Sequence, residues 1–196
     1  MKKRTLIWKL SAFILFGAAV ATVFTLSNCN NDDGEEVTET LAGVYQMTSA
    51  ILQSDIVDAD DSVIVPSGQD VAQIMGAGIF GASPCESVSN SAIDQRDDGK
   101  LYFVCIGSES DKDGVDAGSW SENSTLTQIT LSLNATVVPP AGFQLIITNV
   151  TQSGSTISGS ITNVPMPKTL LQAAFPGITF PELQLVDADI QFVKVG

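Results

Sequence analysis

The sequence predicts an all-β domain, a sandwich or barrel of short strands with one or two short helices, set behind a leader that is removed. Three observations carry this. From residue 41 onward, apolar and β-branched residues recur at alternate positions in short runs, separated by Gly, Asn, Asp and Ser. Only two stretches have helical character. The first 28 residues run from basic to apolar and stop at a cysteine, the pattern of a targeting segment that takes no part in the fold.

The strands follow in order. Leu41–Ile51 carries β-formers on alternate positions through Val44-Tyr45-Gln46-Met47. Ser91–Cys105 reads as a hairpin, with turn chemistry at Asp97-Asp98-Gly99-Lys100 and an apolar second strand, Leu101–Ile106. Thr125–Val138 alternates through Leu126, Ile129, Leu131 and Leu133. Phe143–Val150, Ser155–Val164 and Leu183–Val195 supply the rest, with Ser153-Gly154-Ser155 as a turn. One helix is expected over Ser67–Phe80, opened by Ser67 and Asp70 in capping-box spacing. A second, Lys168–Phe175, is bounded by prolines 165, 167 and 176.

Composition removes whole classes of chemistry. The 196 residues hold nine Lys+Arg, twenty-two Asp+Glu and no histidine, a net charge of −13. Without histidine there is no Ser-His-Asp or Cys-His nucleophile and no His-ligated zinc. Phosphate binding needs clustered cations, so nucleic acid is not an expected partner. Four of the nine cations (Lys2, Lys3, Arg4, Lys9) precede the apolar run Leu10–Leu26. From Cys29 onward five cations face all twenty-two acids, leaving −17.

The run ends at Leu26-Ser27-Asn28-Cys29, followed by the acidic Asn30–Thr40. This resembles the lipobox of bacterial lipoproteins. The resemblance implies a signal peptide over 1–28, lipid on Cys29, and anchoring in the cell envelope, in the outer membrane. The alternatives are an uncleaved anchor, or cleavage after Ala19-Val20-Ala21. Residues 29–40 read as a flexible acidic tether; they are also similar to the surface-export signal that Bacteroidetes lipoproteins place after the lipidated cysteine.

Over residues 41–135 several features, in order, resemble the lipocalin-like domains of Bacteroidetes lipoproteins. They are Leu41-Ala42-Gly43-Val44-Tyr45, Cys85, the Asp98-Gly99-Lys100 turn with Tyr102 and Phe103, Cys105, and Gly118-Ser119-Trp120. Tyr45 stands where the family has Trp. The resemblance implies one lipocalin-like β domain over 41–196, a small up-and-down antiparallel barrel or half-barrel, able to hold a small hydrophobic ligand or to fill its interior with side chains.

The candidate sites are few. Cys85 and Cys105 form an even pair outside the cytosol and are expected as a structural disulfide. A redox or metal pair would need a Cys-x-x-Cys spacing or further ligands. Glu109, Asp111, Asp113 and Asp116, with Gly114, space oxygen ligands as a calcium loop does. The other reading is an acidic hairpin loop. Asp55, Asp58, Asp60 and Asp61 read as solvated loop rather than a catalytic pair. Gly76-Ala77-Gly78-Ile79-Phe80-Gly81 has dinucleotide-like glycine spacing but follows no strand, so it reads as a connector. Trp120, Tyr102, Phe103, Phe143 and Phe192 are expected to fill the barrel. No catalytic residue and no resident cofactor is expected; the ligand-binding residues are not identifiable. The expected function is a non-enzymatic, membrane-tethered binder of a small hydrophobic ligand or surface partner. The alternative is a structural or adhesive surface module stabilised by calcium.

Overall fold

The computed structural model describes residues 40–107, 114–134 and 143–195. Eight strands close into an antiparallel barrel in the order β1 (Gly43–Leu52), β10 (Leu183–Lys194), β9 (Thr156–Pro167), β8 (Phe143–Ser153), β7 (Ile129–Leu133), β6 (Val115–Glu122), β5 (Lys100–Cys105) and β4 (Ser91–Gln95), which returns to β1. Barrel neighbours are also sequence neighbours, apart from the β1–β10 closure and one insertion between β1 and β4. That insertion holds a small hairpin, β2 (Ile56–Val57) and β3 (Val63–Val65), and helix α1 (Ala72–Ile79). Helix α2 (Lys168–Ala174) lies between β9 and β10.

Strand direction sorts the connections onto two ends. The β4–β5, β6–β7 and β8–β9 turns lie at one end, with Thr40 entering and Val195 leaving beside them. The β2–β3 hairpin, α1 and α2 lie at the other. We refer to these as the hairpin end and the helix end. No helix of the described residues is long and apolar enough to cross a membrane.

Alternation decides which side chains face inward. Ile129, Leu131 and Leu133 on β7, and Val186, Ala188, Ile190 and Phe192 on β10, are buried while their neighbours face solvent. Small residues oppose large ones across the β1–β10 seam, where Ala50 pairs with Ile190 and Leu52 with Ala188. Such pairing fills a tapering interior. Among the described residues, most inward side chains of the eight strands expose 9% of their surface or less, with Met47 and Phe143 only partly buried. The barrel is therefore packed with its own side chains. Bulges on β1, β8 and β9 supply the extra coiling that closure needs.

Strand β6 departs from the sequence expectation, which placed an acidic loop through Asp116, over its first residues. Only Ala117 and Trp120 of β6 are buried, and Asp116, Gly118, Ser119 and Glu122 are weak β-formers. Its ladders to Leu101 on β5 and Leu131 on β7 hold it extended. Gly118 is required there: its φ is +132°, and a Cβ would sit 2.0 Å from the Ser132 carbonyl oxygen. Gly118→Ala should therefore cost about 3 kcal/mol or more in a urea unfolding experiment, from backbone strain plus a broken β6–β7 ladder.

Helix α1 is shorter than expected. It begins at Ala72, and Ser67 does not cap it; the Ser67 amide instead donates to Asp55 Oδ1 at 2.6 Å. Asp70 does the work from just outside, its Oδ1 accepting from the amides of Ala72 (2.8 Å) and Ala50 (3.2 Å), and its Oδ2 from Ser49 Oγ (2.9 Å). Burial pushes the Asp70 carboxyl up, but these three hydrogen bonds outweigh it and hold the group below the usual carboxylate value. Asp70 thus ties α1 to β1.

Candidate ligand groove

Helix α1 buries Val71, Met75, Ile79 and Phe80 against the barrel's helix end. Two glycines in α1 weaken the helix intrinsically, and each is explained by a close approach. A Cβ on Gly76 would meet Val88 Cγ1 at 2.7 Å, and one on Gly78 would meet Leu170 Cδ2 at 2.9 Å. The glycine-rich stretch is therefore mostly helix, and a packing surface, where the sequence suggested a connector.

Between α1, α2 and the adjoining ends of β8 and β9 lies a groove of about 530 Å³. That volume is within the ordinary range for small-molecule sites, about 300–1,000 Å³. One wall is Met75, Ala77, Gly78 and Ile79, continued by Gly81 and Ala82; the other is Thr169, Leu170 and Ala173, with Phe143, Val164, Pro165 and Pro167 at its base. Not one of these residues is charged, although the protein as a whole carries −13. Next to it, Leu183 and Leu185 are 50% and 57% exposed, paired across the ladder with Pro167 and Pro165.

Cys85 and Cys105 are joined as a disulfide, with Cα atoms 5.4 Å apart. It bonds the segment leaving α1 to the end of β5. Beside it, Phe80 meets Phe103 edge-on at 5.6 Å. The groove wall formed by α1 is thus fixed to the barrel both covalently and by packing.

The other sequence candidates are placed as follows. Cys29 lies outside the described residues, as do Glu109, Asp111 and Asp113. Asp116 is the second residue of β6, and its Oδ1 accepts from the Gly118 amide (2.9 Å) and Asn134 Nδ2 (3.1 Å). Among the described residues no three acidic or cysteine side chains gather as a metal cluster. Asp55 and Asp58 serve the β2–β3 hairpin: Asp58 Oδ1 accepts from the amides of Asp60 and Ser62, while Asp61 takes a left-handed turn position with φ +61°. Of the five aromatic residues expected to fill the barrel, Phe103, Trp120 and Phe192 are buried in it. Tyr102 and Phe143 are not: Tyr102 lies half-buried under the Arg96 guanidinium at 3.7 Å, and Phe143 lines the groove.

At the hairpin end, Trp120 Nε1 donates to the Arg96 carbonyl at 2.7 Å. Tyr45 Oη and Gln95 Oε1 are buried there without a hydrogen-bond partner among the described residues. Burial, and secondarily the Glu122 carboxylate, raise the Tyr45 pKa above its ordinary value near 10. A raised folded-state pKa contributes stability below the unfolded value and loses it as pH climbs through the folded one. Tyr45→Phe should then leave stability at pH 7 unchanged or higher by up to about 1 kcal/mol, since an unpaired buried hydroxyl is removed. It should also flatten the fall in stability above about pH 10. Thermal melts from pH 7 to 11 check both.

No family model, curated protein or solved structure matches this chain.

Proposed function

We propose that this protein is a membrane-tethered envelope lipoprotein that binds a small hydrophobic ligand, at the helix end of its barrel rather than inside it. One observation carries the reading: a charge-free groove of ligand size on a strongly acidic protein whose barrel interior is already occupied by side chains. Clustered apolar surface left uncovered on a soluble domain costs free energy unless something covers it. The resemblance to lipocalin-like lipoproteins supports the same class of function, and the absence of histidine favours binding over hydrolytic catalysis.

The tether fits this reading. Thr40 joins the barrel at the hairpin end, so a tether from Cys29 would meet the fold at the end opposite the groove. Intact mass and membrane fractionation, beside Cys29→Ala, test the anchor: a diacyl or triacyl mass beginning at Cys29 is expected, and its loss in the variant. An unmodified chain that retains residues 2–26 would contradict it.

Ala173→Trp tests the groove. Ala173 is exposed and lines one wall, so an indole there should fill the space and leave folding within about 0.5 kcal/mol. The expected result is a tenfold or greater loss (about 1.4 kcal/mol) of affinity for a neutral fluorescent probe such as N-phenyl-1-naphthylamine. Unchanged probe binding would place the site elsewhere.

A further inference from the structure

A second concavity lies on the outer wall of the barrel and shares no lining residue with the groove. Its volume is about 320 Å³, at the small end of the range for ligand sites. Ladder register gathers its side chains into two rows across adjacent strands. One row is Ser49 on β1, Gln191 on β10, Ser158 on β9 and Thr151 on β8. The next is Ile51, Asp189 and Ser160. Opposed residues on one sheet face hold their Cβ atoms about 4.5–5.5 Å apart, so each row is a continuous strip.

A barrel wall is convex, and two backbone features hollow this stretch. Strand β8 bulges between Thr148 and Thr151, and Asn149 in the bulge takes φ +53° and lines the concavity. Bulges re-aim side chains in this way. Gly159 lets β9 lie close under the bulge: a Cβ there would meet the Thr148 carbonyl oxygen at 2.9 Å and Ile147 Cγ2 at 2.6 Å. Lys, Arg and Glu, the usual cover of an exposed strand, are missing from the lining. Asp189 is its one charged residue, and it is held in place. Its Oδ1 accepts from Ser160 Oγ at 2.7 Å and its Oδ2 from Gln53 Nε2 at 2.9 Å, and each oxygen keeps a further lone pair.

We propose that this concavity binds a neutral sugar, one hexopyranose unit, independently of the groove. Sugar hydroxyls both donate and accept, and so do the hydroxyls and amides of the two rows. Asp189 accepts from a sugar hydroxyl in a charge-assisted bond, about twice as strong as a neutral one. Ile51 offers the apolar contact for a C–H face. An anionic ligand is repelled by Asp189 and by the net charge of −13.

The test uses the full chain in its non-acylated Cys29→Ala form. Amide chemical shifts are followed while the methyl α-glycosides of glucose, galactose and mannose are added singly, each to about 50 mM, enough to detect millimolar binding. At least one should shift the amides of Ser49, Thr151, Ser158, Ser160 and Gln191 while Gly78 and Leu170 of the groove stay in place. Asp189→Asn should weaken that binding about five- to tenfold. Ser158→Ile, which fills the hollow with a strand-favouring side chain, should weaken it tenfold or more. Both variants should melt within about 2 °C of the parent, which separates a lost site from a lost fold. Glucuronate should shift these amides less than the neutral glycosides do, and ethylammonium should leave them unmoved. Silence of these amides with all three glycosides, shifts centred elsewhere, or indifference to both variants would overturn the site. Stronger binding of glucuronate, or an ethylammonium response equal to the sugars', would overturn its assignment to a neutral sugar.

Discussion

Phe103→Ala should lower the stability of the domain by about 3–5 kcal/mol, the cost typical of deleting a fully buried aromatic ring. Phe103 points inward from β5, has no exposed surface, and its ring meets Phe80 at 5.6 Å. The truncation would open a hole touching both the barrel interior and the segment that fastens α1. The size of the effect reports on the interior. In a packed barrel the surroundings relax only partly and the cavity term adds to the lost transfer free energy. In a hollow one the ring would already border empty space and the loss would approach 1 kcal/mol. Urea unfolding measures this, provided the m-value stays constant.

The second large effect is expected from the disulfide. Replacing Cys85 and Cys105 by Ser should cost roughly 3 kcal/mol in the chain-entropy account, for residues 20 apart. Both cysteines are only partly buried, so a dithiol reductant should shift the wild-type melt to that of the variant. The loss should not be uniform. The segment from Gly81 to Asn90 forms only a three-residue 3₁₀ turn, Val88–Asn90, so hydrogen exchange should quicken first there and in α1. The barrel amides of β9 and β10 should keep their protection until global unfolding. Equal acceleration everywhere would mean that the bridge does not act locally on the groove wall.

The barrel itself is legible in the sequence where one face is buried and the other is wet. Strands β8, β9 and β10 show that alternation through Leu145, Ile147, Ile157, Ile161, Val186 and Ile190, and each lies where the pattern expects it. The β4–β5 hairpin is announced by Asp98-Gly99, whose Gly99 takes φ +80°. What the pattern hides is instructive. Strand β6 contributes only two buried residues and is extended because its neighbours are, a tertiary cause with no local signature. The β2–β3 hairpin is masked by four aspartates, although Ile56 and Val65 bury 92% or more of their surface.

The groove was not legible for a different reason. Its lining comes from residues 75–82, 143 and 164–173, stretches far apart in sequence, and seven of its thirteen residues are Gly, Ala or Pro, which signal turns and small volume rather than chemistry. The glycine spacing at 76, 78 and 81 was the one visible clue. Only the packing of Leu170 on Gly78 and Val88 on Gly76 gives it meaning.

The central claim is that ligand sits in the groove, outside a filled barrel. The most direct measurement is an amide and methyl chemical-shift map of the protein titrated with a neutral twelve-carbon amphiphile. Shifts should concentrate on Met75, Gly78, Ile79, Val164, Leu170 and Ala173. Shifts centred instead on Leu131, Ile147, Ile161 and Ile190 would put the ligand inside the barrel and contradict the account.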